Sequence, residues 1–216
     1  MTTNSATVPA PRRAPKRKWK TWWLKQLHTW HWVSAAVSLV AMLLFAITGI
    51  TLNHAATIAA QPHVEARSGT LPPVVRARLT ATSADAPLPA VVAHAVQRSV
   101  GLDAGSRAAE WSDAEVYVAL PRPGGDAWVS IDRATGHITA EVTDRGWISY
   151  LNDLHKGRNA GSAWFWFIDV FAAACVVFTL TGLLLLQLHA RHRPSTWPLV
   201  AAGLALPVVI ALVFIH

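Results

Sequence analysis

A run of about 25 mostly apolar residues, Trp164–His189, constrains this chain more than any other feature. At about 1.5 Å of rise per residue, a helix of this length crosses the hydrocarbon core of a bilayer. Val33–Leu52 contains 20 residues without a charge, and Trp197–Ile215 contains about 19 apolar residues with two prolines. The sequence therefore predicts a mainly α-helical membrane protein with three transmembrane helices.

The first apolar run, Val33–Leu52, has two interpretations. A secretory signal peptide has a shorter apolar region followed by a cleavage site with small residues. Here the run is long, and the residues that follow it, LNHAATIAAQ, give only a poor A-x-A site. An uncleaved span is the favoured interpretation.

Positive charge is concentrated next to the apolar runs. The formal net charge is +7, and residues 1–30 contain seven Lys/Arg and no acid. Residues 53–162 contain ten Lys/Arg against eleven Asp/Glu, and Arg191 and Arg193 follow the second run. The positive-inside rule then predicts a cytoplasmic N-terminus, with the middle region and the C-terminus outside. Nucleic-acid binding is disfavoured because no RNA- or DNA-binding motif accompanies this charge.

The region between the first two spans has the composition of a small soluble α+β module. Leu88–Ser99 has helical spacing of apolar residues and is closed by Gly101, whereas Glu115–Leu120 reads as a strand. Ala127–Asp132 and His137–Val142 predict a hairpin. One helix and about three antiparallel strands barely bury a core of their own. The module is therefore expected to pack against the connector, the membrane helices or a second copy.

These patterns divide the chain into nine segments. They are a disordered basic tail (1–16), an interfacial Trp/Lys segment (17–32), the first span (33–54), an irregular outer connector (55–83), the α+β module (84–145), a polar outer segment (146–162), the second span (163–189), an inner loop (190–196) and the third span (197–215).

The histidines cluster at the two membrane surfaces. Neutral imidazole is a good axial ligand for haem iron, and facing helices of a bundle can hold such a cofactor. Histidine at an interface can also simply bond to headgroups or water, and two inner i, i+3 pairs could chelate a metal without a porphyrin. The candidate ligands are His28, His31 and His189 at the inner surface, with His192 beside them, and His54 and His155 at the outer surface.

Both long spans contain the pattern Phe-x-x-Thr-Gly, at Phe45–Gly49 and at Phe178–Gly182, and each copy is followed by a histidine. The small pairs Thr48-Gly49 and Thr181-Gly182 leave room for a flat ring. The same pairs also serve plain helix packing in lipid.

Four polar residues are predicted to gather at the outer end. Asp169 is an ionisable group within a span, which is a functional candidate by default, although it could instead reach water or pair with Arg158. Asn53, Asn152 and Asp153 could orient an outer histidine. His31 and His54 are 23 residues apart, about 34 Å of helix, so an inner and an outer haem are expected to lie well apart.

The single cysteine, Cys175, excludes a disulfide framework and a C-x-x-C-H haem attachment. Any cofactor must therefore be held non-covalently. The sequence has no nicotinamide or flavin fingerprint, so the electrons for any redox function would come from quinol or another protein.

The chain resembles the short PepSY-associated transmembrane proteins from about residue 24 onwards. The resemblance rests on LHTWHW through FAITGITLNHA, on LPAVVAHAVQR with AWVSIDRATGHIT, and on the block from LNDLHKGRNAG to HRPSTWPLV. Related longer members are inner-membrane reductases that hold b-type haem through histidines and reduce ferric siderophores. They have four or more spans, so a homodimer could supply the helices that this three-span chain lacks.

This resemblance implies two functions for a protein of the bacterial inner membrane. The first is electron transfer through one or two haem b groups, held by His28 or His31, His54, His155 and His189, to a periplasmic ferric complex or redox partner. The second is a non-catalytic membrane anchor whose periplasmic PepSY module binds or inhibits a periplasmic protein.

Overall fold

The computed structural model describes residues 16–58, 61–80, 83 and 85–215. The chain divides into two compact units, residues 1–42 with 170–216 and residues 43–169. Apart from Lys16, which begins the first helix, the tail that is predicted to be disordered lies outside the described residues.

Along the sequence, all strands lie between the first long helix and the last two. The helices are α1 (Lys16–Asn53), α2 (Pro73–Arg76), α3 (Ala90–Val100), α4 (Gly146–His155), α5 (Gly161–His189) and α6 (Thr196–Phe214), with a 3₁₀ turn at Ala190–His192. The strands are β1 (His63–Thr70), β2 (Glu110–Trp111), β3 (Glu115–Ala119), β4 (Gly125–Asp132) and β5 (His137–Asp144).

Three helices, α1, α5 and α6, are long and apolar enough to cross a membrane, which confirms the predicted membrane architecture. The predicted interfacial segment 17–32 continues into the first span as one helix, because no glycine or proline interrupts it before Gly49. Pro207 lies inside α6 without ending it. The apolar side chains of these helices are mostly exposed, as contact with lipid requires.

The soluble module is a five-stranded antiparallel sheet in the order β1-β5-β4-β3-β2. Its core consists of alternate residues of the strands, such as Ile131 and Ile138, and of α3 residues such as Val92 and Val96, all four fully buried. α3 ends as predicted at Gly101, which adopts a left-handed conformation that favours glycine. The predicted hairpin is confirmed as β4 and β5.

The structure differs from the predicted irregular connector. Residues 63–70 form β1, which pairs along its whole length with β5 at the edge of the sheet. The sequence HVEARSGT hides this strand because most of its side chains are exposed and few are apolar. The short strand β2 also adds to the three expected strands.

The turn between β4 and β5 is held by one carboxylate. The backbone N–H and the hydroxyl of Thr135 both donate to Asp132 Oδ1 at 2.7 Å. These hydrogen bonds, the backbone one first, hold the pKa of Asp132 below its ordinary value.

Candidate functional site

His31 of α1 rests on the second Phe-x-x-Thr-Gly motif. Its Nδ1 lies 3.0 Å from Thr181 Oγ1, and its ring stacks on Phe178 with 4.8 Å between centroids and 14° between planes. A Cβ atom added to Gly182 would lie 3.4 Å from His31 Cε1. The glycine therefore lets the imidazole lie against the backbone of α5.

His155 of α4 rests on the first motif in the same way. Its Nδ1 lies 2.8 Å from Thr48 Oγ1, and the ring of Phe45 lies 5.0 Å away between centroids. A Cβ atom on Gly49 would lie 3.5 Å from His155 Cε1. Each copy of the motif thus binds one histidine through an aromatic ring, a hydroxyl and an open glycine.

The threonine hydroxyls fix which nitrogen of these two rings carries the proton. Thr181 Oγ1 donates to its own helix, with Val177 O at 2.7 Å and Phe178 O at 3.0 Å. Its oxygen is therefore free to accept a hydrogen bond from His31 Nδ1–H. Thr48 donates in the same way to Leu44 O and Phe45 O, at 2.9 and 3.1 Å. In the neutral imidazole this arrangement puts the proton on Nδ1 and the lone pair on Nε2.

The other three candidate histidines each bond to the backbone of their own chain segment. A carbonyl only accepts, so in each of them Nδ1 is the donor, and in the neutral ring the lone pair then lies on Nε2. The partners are Leu24 O for His28 (2.8 Å), Ile50 O for His54 (2.9 Å) and Leu185 O for His189 (2.8 Å).

All five candidate histidines therefore share one state. Nδ1–H is held by an oxygen, and no hydrogen bond to Nε2 occurs within the described part of the chain. A histidine that ligates a metal usually donates its other ring N–H in this way, which orients the ring and makes it a better ligand.

Two of these histidines line one cleft of about 440 Å³ in the unit formed by residues 1–42 and 170–216. The cleft combines imidazole, apolar side chains, a glycine backbone and one guanidinium. It is lined by His31, Gly182, Leu185, Leu186, His189, Arg193 and Thr196. His28 is not part of this lining, and His31 is the member of the His28/His31 pair that packs against α5.

The predicted outer polar residues have other partners than a histidine. Thr51 donates to Asn152 Oδ1 at 2.8 Å, and the backbone N–H of Gly124 donates to Asp153 Oδ2 at 2.9 Å. Asn152 thereby links α4 to α1, and Asp153 links it to the turn before β4. Both side chains are buried.

Asn53 and Asp169 are exposed, and Asp169 forms no ion pair with Arg158 or any other described residue. No group of three or more His, Cys, Asp or Glu side chains within the described ranges could hold a metal ion. The lining of the cleft includes two imidazoles and the apolar side chains of Leu185 and Leu186.

Sequence reasoning did not single out Arg193 and Thr196, which line the cleft. For Arg193 the sequence did contain a signal, because Arg193 follows the candidate ligand His189 by four residues. It also missed that Phe45 and Phe178 contact histidine rings, although both belong to the repeated motif.

Comparison with known proteins gives one match. Residues 22–216 match the family model PepSY_TM_like_2, described as "Putative PepSY_TM-like". No curated protein and no solved structure matches the chain significantly.

Proposed function

This chain belongs to the PepSY_TM-like family, and from that premise we propose that it binds b-type haem and passes electrons across a membrane. The observation that carries the proposal is the cleft that His31 and His189 both line. Each imidazole has its Nδ1 bonded to an oxygen, so the neutral ring would offer its Nε2 lone pair to an iron ion.

The rest of the cleft suits the other parts of a haem. Leu185 and Leu186 offer apolar contacts to a macrocycle, and the missing side chain at Gly182 leaves space beside His31. Arg193 and Thr196 provide a cation and a hydroxyl for propionate carboxylates. Bound haem supplies a one-electron iron couple, while these residues hold it, orient it and exclude water.

A second haem is proposed at the outer end, with His155 and His54 as ligands. His155 is held by Thr48 in the same geometry as His31 by Thr181. Asp153 supports the site indirectly because it fixes α4, the helix that carries His155.

The proposed location is the bacterial inner membrane, with the lysine-rich start of α1 in the cytoplasm and the PepSY module in the periplasm. The distribution of Lys and Arg supports this orientation. Electrons are proposed to come from quinol or a membrane protein and to reach a periplasmic redox partner or ferric siderophore.

Titration of the purified, haem-free protein with haemin tests this function. The wild-type chain is expected to develop a Soret band that shifts when dithionite is added. The double variant His31→Ala/His189→Ala is expected to lose the inner site and to bind at least tenfold more weakly there. His94→Ala, on α3 of the module, is the matched control and is expected to titrate like the wild type.

A protein that stays colourless with haemin would contradict the proposal and favour the membrane anchor whose module docks a periplasmic protein. Equal haem binding by the double variant and His94→Ala would place the haem elsewhere.

A further inference from the structure

We infer that a second hollow in the same unit, the tryptophan groove, binds one anionic phospholipid. The groove has a volume of about 970 Å³ and runs between the first part of α1 and the last part of α5. Trp22, Trp23 and Trp30 line it on α1, and Leu184 and Leu188 line it on α5. The groove shares no lining residue with the histidine cleft, and the inference does not require the proposed haem.

The length of the tryptophan groove matches one leaflet of a bilayer. Its α1 wall extends from Lys20 to Trp30 and its α5 wall from Val177 to Leu188. At about 1.5 Å per residue, each wall is about 15–17 Å long. Half of a hydrocarbon core that is about 30 Å thick is about 15 Å. An acyl chain of one leaflet can therefore lie along the whole groove.

Charge is confined to one end of the groove. Lys20 is its only charged lining residue, whereas Gln26, Gln187 and Thr181 are its polar ones. Lys18 and Lys25 lie on the same part of α1, and the first 30 residues of the chain contain no acid. An apolar wall with a lysine at one end, which forms no ion pair with any described residue, fits a lipid whose headgroup carries a negative charge.

The same charges argue against a second copy as the occupant. Two copies that face each other through this groove would bring their lysine-rich segments together. A zwitterionic lipid would fill the apolar wall but would leave Lys20 without a net counter-charge. A lysine close to an anionic membrane surface strengthens binding by about fivefold, which sets the expected size of its effect.

Native mass spectrometry of the full-length protein in detergent tests the site, with phosphatidylglycerol and phosphatidylcholine as probes. The wild type is expected to retain one phosphatidylglycerol in preference to phosphatidylcholine. Lys20→Gln should weaken phosphatidylglycerol binding about fivefold, and Leu184→Trp, which narrows the groove, should weaken it further. Lys18→Gln, a matched charge removal outside the groove lining, should change binding less than twofold.

Several results would overturn the inference. Equal weakening by Lys20→Gln and Lys18→Gln would indicate general attraction to the lysine-rich segment. Full binding by folded Leu184→Trp, displacement of the lipid by ubiquinone, or a lipid-free dimer closed over the groove would each exclude a phospholipid as its occupant. If Leu184→Trp does not fold, the comparison of Lys20→Gln with Lys18→Gln still tests the site.

Discussion

If the proposed function holds, Gly182→Leu is expected to weaken haemin binding to the cleft of the first unit while the chain stays folded. The added Cβ lies in van der Waals contact with His31 Cε1, at 3.4 Å, so the three further carbons of leucine crowd the imidazole. Displacement of His31 from Thr181 would remove one of the two proposed iron ligands. We expect at least tenfold weaker haemin binding at this site. Gly182→Ala should cost much less, because only its Cβ approaches the ring.

Gly203→Leu is the matched control for this substitution. Gly203 lies in the membrane helix α6, and nothing lies within 4 Å of the Cβ that leucine would add there. This variant should bind haemin like the wild type. Circular dichroism and gel filtration establish that both variants are folded. Unchanged binding in folded Gly182→Leu would mean that His31 does not ligate the iron.

Gly124→Ala is expected to destabilise the soluble module strongly. Gly124 has φ of +70°, and its new Cβ would lie 2.7 Å from Tyr150 Cα and 2.8 Å from Tyr150 N. The left-handed conformation alone costs about 1–3 kcal/mol for an alanine. The overlap with the backbone of α4 adds to this cost. It also pushes Asp153 away from Gly124 and breaks the hydrogen bond that the Gly124 N–H donates to the Asp153 carboxylate.

Gly146→Ala separates these two costs. Gly146 has φ of +81°, but nothing lies within 4 Å of its Cβ position, so only the conformational cost applies. In urea denaturation of the full-length protein in detergent, Gly124→Ala should lower the free energy of unfolding more than Gly146→Ala does. Equal losses would show that Tyr150 is not packed against this turn.

The membrane helices and most of the sheet were predictable because their signals are local. Long uncharged runs specify spans, and β4 and β5 carry the alternation of apolar residues that defines a half-buried strand. β1 was not predictable in this way, because an edge strand with exposed side chains depends on its partner β5 rather than on its own composition.

The repeated motif shows the same limit at the candidate site. Phe-x-x-Thr-Gly is visible in both spans, and the nearest histidines along the sequence are His54 and His189. The structure instead places His155 and His31 on the two motifs. His189 follows Gly182 by seven residues, about 10 Å further along the helix axis, so it cannot contact its own motif. The partner histidine comes from another element, and sequence spacing cannot identify it.

Electron paramagnetic resonance of the ferric protein tests the central claim most directly, namely that His31 and His189 hold one iron between their Nε2 atoms. In a His54→Ala/His155→Ala background, which lacks the proposed outer ligands, the protein with one equivalent of haemin should give the low-spin signal of two imidazole ligands. Adding His31→Ala or His189→Ala to that background should each convert the signal to high spin. A high-spin signal before either addition, or a low-spin signal that survives both, would contradict the account.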